Sequence, residues 1–171
     1  MKLPIRVTLT ALVASVALAA CAGKKVKPVT PEPETAPVET TGQTDTGAYT
    51  PESLDTDSCL RQRVVYFDFD RSEIKPEFQA QIACHAKYLQ QFPGARVTLE
   101  GNADERGTRE YNLGLGERRG NAVSSAVSAA GASPSQLNVV SYGEERPVCK
   151  EHNESCWQKN RRVEIVYTAK Q

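Results

Sequence analysis

The sequence has no surplus charge: 21 Lys and Arg stand against 21 Asp and Glu, a formal net charge of +0. With no polybasic tail or basic repeat, nothing electrostatic draws it to nucleic acid, and no nucleic-acid partner is expected. Histidine is scarce. Neither His85 nor His152 has a catalytic companion by sequence, and HExxH, P-loop and nucleophile-elbow motifs are missing. No CxxC pair occurs, and two histidines do not complete a usual zinc pattern, so no metal is expected. No cofactor is implied. Asp68, Asp70, Asp104 and Glu105 could suggest the carboxylate pair of a glycoside hydrolase, but no second motif supports it. These absences point away from an enzyme.

What is present begins with a targeting segment. Lys2 and Arg6 precede a small and apolar run from Val7 to Ala20. That run is shorter than the ~20 residues a spanning helix needs, and it fits a secretory signal peptide over residues 1–20. Leu18-Ala19-Ala20-Cys21 resembles the bacterial lipobox, which makes Cys21 the expected lipidation site. Ala22 and Gly23 follow it, not an Asp, which favours the outer membrane. Several acyl chains would give stable anchoring where one does not. Residues 21–57 then read as the lipidated cysteine and a flexible tether. Pro28, Pro31, Pro33, Pro37 and Pro51 are mixed with Thr, Glu and Gly, a composition too poor in apolar residues to fold. At ~3.1 Å per residue, such a tether reaches on the order of 100 Å.

Residues 58–171 read as one α+β domain. Strands are predicted over residues 63–67, 96–100, 138–142 and 161–168, the second and fourth by clean alternation. Helices are predicted from Pro76 to the Pro93-Gly94 break and from about Arg109 to Ala130, with Gly131 as the stop. The order is β-α-β-α-β-β, a two-layer sandwich with helices packed on a mixed four-stranded sheet. Setting Cys21 aside leaves Cys59, Cys84, Cys149 and Cys156, an even number in an exported chain. Three pairings are open; the short Cys149–Cys156 loop favours that bridge, with Cys59–Cys84 as the other.

The chemistry gathers in residues 101–119, GNADERGTREYNLGLGERR. Each Gly inside a helix costs roughly 1 kcal/mol against Ala. Gly114, Gly116 and Gly120 therefore answer some other demand, such as close approach of a ligand or of another backbone. Leu115, Arg119, Val123 and Val127 fall four apart, so Arg119 interrupts an apolar stripe. It is either a structural ion pair with Asp104, Glu105 or Glu117, or a fork for a ligand carboxylate. Asp104 either caps the turn or accepts from a ligand ammonium. Together such groups suit an amino-acid-like zwitterion.

YFDFDRSEIKPEF (66–78), EGNADERGTREYNLGLGERRGNAV (100–123), VVSYGEERP (139–147) and QKNRRVEIVY (158–167) resemble the OmpA-like peptidoglycan-binding domain family. The likeness covers nearly all of residues 60–168. It implies an OmpA-like fold and non-covalent binding of the cell-wall peptide, with the domain in the periplasm. It further implies that Asp104 and Arg119 hold a diaminopimelate residue, that Phe69 and Asp70 line the pocket, and that Leu115 forms a wall. Arg162 is a further candidate that alternatively braces the sheet. On this footing removal of Arg119 should cost ligand and spare the fold. For lipoproteins of this family the expected partners are peptidoglycan, the outer membrane through the lipid anchor, and Tol-system proteins including a TolB-like propeller. The sequence departs from the family pattern at Cys59, Cys84 and the loop between Cys149 and Cys156, which bears on the Tol-facing surface.

Overall fold

In the computed structural model, residues 48–171 are described. The signal-peptide, lipidation and most of the tether expectations, Cys21 included, lie outside the described residues.

The order is α1 (Ser53–Thr56), β1 (Val64–Tyr66), a 3-10 turn (Pro76–Phe78), α2 (Gln79–Gln91), β2 (Arg96–Asn102), α3 (Arg109–Ala129), a second 3-10 turn (Pro134–Gln136), β3 (Leu137–Gly143), α4 (Glu154–Asn160) and β4 (Arg162–Ala169). The strands form one sheet in the order β1-β4-β2-β3. β2 and β3 run parallel, with α3 as the crossover that a parallel pair requires. The β1–β4 and β2–β4 pairs are antiparallel. The predicted α+β class and mixed four-stranded sheet are both found.

Local chemistry accounts for the elements. In β2, Val97 and Leu99 are buried while Thr98 and Glu100 are half-buried, the period-two pattern of a strand covered on one face. α3 starts where the Thr108 hydroxyl accepts from the Tyr111 N–H at 3.2 Å. It stops at Gly131, whose φ of 107° an L side chain rarely adopts. Ile82, Ala86 and Leu89 of α2 and Val123 and Val127 of α3 meet Val65, Val97, Leu99, Val163 and Ile165 of the sheet in one core.

Gly116 and Gly120 serve the packing of α3 on the sheet, whereas a Cβ at Gly114 would meet only the Arg118 side chain at 3.3 Å. A Cβ at Gly101 of β2 would lie 1.9 Å from the Gly116 carbonyl oxygen, and one at Gly116 would lie 2.4 Å from the Ser141 Oγ of β3. One at Gly120 would lie 2.6 Å from Val139. Of the two demands expected, close approach of another backbone is the one met at Gly116.

Two short helices depart from the sequence reading. α1 falls inside the stretch assigned to the tether, yet Leu54 is fully buried and the Arg63 guanidinium donates to its carbonyl at 2.5 Å. Asp55 pairs with Lys170 at 3.0 Å, and the Tyr49 ring lies 6.0 Å from that of Tyr88. The ordered domain therefore starts earlier than residue 58. Four helical residues have no periodicity to detect, and what orders them comes from distant parts of the chain. α4 falls in the loop before the last strand. Asn153 caps it, accepting from the Cys156 N–H at 3.1 Å. The bridges are Cys59–Cys84 and Cys149–Cys156, the pairing that the short loop favoured.

Candidate functional site

Three segments meet at one end of the sheet. The loop after β1 brings Phe69 and Asp70, the loop after β2 brings Asp104, Arg106 and Gly107, and α3 brings Tyr111, Asn112, Leu115 and Arg119. These residues line a cavity of about 180 Å³. Tyr111, Leu115 and Arg119 are four apart and share one helix face. The space suits one side chain of a ligand rather than a drug-sized molecule.

Asp70 has φ 55°, a left-handed conformation that Asp tolerates better than most residues. Its carboxylate accepts from the Tyr111 hydroxyl, which joins two sides of the cavity. That bond holds the Tyr111 phenol above its ordinary pKa.

Asp104 is 4% exposed. Its Oδ1 accepts from the Arg106 N–H at 3.0 Å and Nε at 3.1 Å. Its Oδ2 accepts from Arg106 Nη2 at 2.8 Å and Arg161 Nη1 at 3.1 Å. Burial alone would push this carboxyl up, but the bonds from Arg106 and Arg161 outweigh it and hold the group below the usual carboxylate range. Asp104 thus closes its own turn through the Arg106 N–H, while the cap of α3 is Thr108.

Arg119 is fully buried. Nε donates to the Arg71 carbonyl at 2.8 Å, Nη1 to that of Asn102 at 2.9 Å and Nη2 to that of Asp68 at 3.0 Å. The ion pair considered from spacing is replaced by three backbone carbonyls. Burial pushes this guanidinium down to about 10, opposed by the charge of Asp104, so it stays protonated at neutral pH. A guanidinium has five N–H donors, and these bonds use three of them.

Arg106 lies between two rings, 4.0 Å from the centroid of Phe69 and 4.2 Å from that of Trp157. Trp157 Nε1 donates to Glu105 at 2.7 Å, and His152 Nδ1 lies 2.7 Å from the same carboxylate. These bonds, that of His152 foremost, hold the Glu105 carboxyl below its usual range and raise His152.

Phe69, Asp70, Asp104, Leu115 and Arg119 come together at this cavity. Arg162 does not line it: its guanidinium pairs with Glu164 at 2.6 Å and donates to the Arg146 carbonyl at 3.1 Å. The arginine of the NRR motif that reaches the site is Arg161. Adjacent side chains in extended chain point to opposite sides, and the motif alone did not say which arginine faces Asp104. Arg106, Tyr111, Asn112 and Trp157 were also not singled out. An arginine two residues after a turn aspartate was the available signal for Arg106.

Residues 66–161 match the OmpA family. The chain belongs to the OmpA family. Among its relatives, the peptidoglycan-associated lipoprotein of Pseudomonas putida is 52% identical over 114 residues, covering 66% of this chain and 68% of that protein. The protein of the same name from Mesorhizobium japonicum is 40% identical over 153 residues, covering 90% of this chain and 86% of that one. The crystal structure of the peptidoglycan-associated lipoprotein from Burkholderia pseudomallei superposes with a TM-score of 0.67 at 44% identity, covering 70% of this chain and all of that one. Within this OmpA-family domain, the cavity lies where β1, β2 and α3 present their loop ends.

Proposed function

We propose that the chain is an outer-membrane lipoprotein that binds the peptide of peptidoglycan without a covalent bond. Residues 1–20 direct export, Cys21 carries the lipid, the Pro-rich segment spaces the domain from the membrane, and the OmpA-family domain grips the wall from the periplasm. It is a binding module, not an enzyme. The names of the relatives support this reading, and so does the chemistry of the cavity. Diaminopimelate ends its side chain in an ammonium and a carboxylate on one carbon. The cavity sets the carboxylates of Asp70 and Asp104 in one lining with the guanidinium of Arg119. That is a constellation for a zwitterion, and the apolar walls of Phe69 and Leu115 suit the methylene stem.

By the same reading the lipoprotein works with a Tol system and braces the envelope at constriction. The bridged loop at residues 149–156 adjoins the site through Trp157 and Glu105, so a TolB-like partner would meet a surface particular to this chain. Crosslinking in cells to a TolB-like propeller separates this from an OmpA-family structural lipoprotein with no Tol partner.

The test of wall binding is co-sedimentation of the full chain with purified sacculi. Asp70→Asn and Asp104→Asn should each lose most of the pull-down while thermal unfolding shows a folded domain; full pull-down in both sinks the assignment. Cys21→Ser should move the protein to the soluble periplasmic fraction, and membrane retention would refute lipidation as the attachment.

A further inference from the structure

Asp104 has no acceptor position left for a ligand. A carboxylate offers about four lone-pair sites. All four bonds here come from the protein itself, three of them from Arg106. An incoming ammonium must displace one of these donors.

The two arginines differ in freedom. The Arg161 side chain is 3% exposed and is further tied to the Phe67 carbonyl at 3.1 Å and to Glu154 at 2.5 Å. The Arg106 side chain is 31% exposed and lines the cavity. It also has somewhere to go. Glu154 Oε2 already lies 3.5 Å from its Nη2, and the flanking rings of Phe69 and Trp157 form a slot along which a flat guanidinium can slide.

We propose that Arg106 is a built-in stand-in for the ligand's cation. It occupies Asp104 when the cavity is empty, and it moves towards Glu154 when the ligand ammonium takes its place. This rests on the wall-peptide reading and specifies how that site selects. Arg161 stays on Oδ2 throughout, and exchange of one cation for another keeps the remaining acceptor positions of buried Asp104 filled. A neutral ligand cannot make the exchange, so Arg106 stays on Asp104 and the ligand gains no bond from that carboxylate. Arg106 is therefore a specificity-determining residue acting by competition, and removing its side chain should strengthen binding of a cationic ligand. A residue that merely contacted the ligand would give the opposite sign.

The probe is the tripeptide Ala-Glu-diaminopimelate, compared with the same peptide acetylated on the side-chain amine. Each is titrated calorimetrically into the full chain in detergent micelles. The wild type should bind the free amine and not the acetylated form. Arg106→Gln should bind the free amine about tenfold tighter, on the scale of one charge-assisted hydrogen bond. Weaker or unchanged binding by that variant overturns the latch. Equal binding of the two peptides by the wild type also overturns it while leaving the wall-peptide reading intact, and binding of neither peptide by either protein overturns both. NMR of the arginine Nε–H groups supplies a check that needs no variant. The Arg106 signal should shift and lose protection as the peptide saturates the wild type, and an unmoved, protected signal would refute the displacement.

Discussion

Arg119→Met tests whether this arginine is first a part of the fold. The side chain lost is fully buried and holds three backbone carbonyls, two from the loop after β1 and one at the end of β2. A buried carbonyl deprived of its donor costs about 1–3 kcal/mol. The bond to Asn102 is buried and takes the upper part of that range, while those to Arg71 and Asp68 are partly buried and take the lower part. The gross loss is then about 5 kcal/mol. Relief from burying a guanidinium offsets part of it, and about 3–4 kcal/mol remains, in line with breaking other buried polar arrangements. Against a total stability of about 5–15 kcal/mol this is a large fraction. With a urea slope of about 1–3 kcal/mol per molar, the midpoint should fall by roughly 2 M. The assay is urea unfolding of the full chain followed by circular dichroism, with Arg119→Lys beside it; one ammonium cannot span three carbonyls, so Lys should rescue little. A midpoint within about 0.5 M of wild type, with sacculus binding lost, would refute this reasoning and return Arg119 to a purely ligand-facing role. The expectation that this residue could be removed without harm to the fold is therefore revised, and the wall-binding test uses Asp70 and Asp104 instead.

Gly101→Ala should be among the most damaging single-methyl changes, because its Cβ would lie 1.9 Å from the Gly116 carbonyl oxygen. A loss of about 3 kcal/mol, or roughly 10 °C in melting temperature, is expected; a drop under 2 °C would show that α3 can move off the sheet. His85 should make stability depend on pH. Its Nε2–H donates to the Gln62 carbonyl at 2.9 Å, its Nδ1 lies 2.9 Å from the Tyr167 hydroxyl, and burial, which disfavours the charged ring, pushes its pKa below the ordinary 6.5. The unfolded chain takes the proton first, so this contribution is full above about pH 6.5 and is lost as pH falls towards the folded value. His152, raised by Glu105, has the opposite sign and acts as pH rises above 6.5. Urea midpoints at about pH 7 and 5.5 should converge in His85→Gln, and an unchanged fall in that variant would exclude His85 as the source.

The sequence by itself determined most of the scaffold, because scaffold signals are local. Alternation at Val97 and Leu99, the four-residue spacing from Leu115 to Val127, and Gly131 as a stop are readable from neighbours along the chain. The short separation of Cys149 and Cys156 pointed to their bridge for the same reason. Only the tertiary structure decided the rest. Leu54 is buried by partners far along the chain, so α1 looked like tether. Gly101 and Gly116 are explained by each other, and nothing within either segment says that their backbones touch. Arg119 answers to carbonyls 17 to 51 residues away. Which arginine of the NRR motif faces Asp104 depends on where β4 begins. Whether Asp104 is free for a ligand depends on Arg106 folding back onto it between two rings that come from opposite ends of the domain.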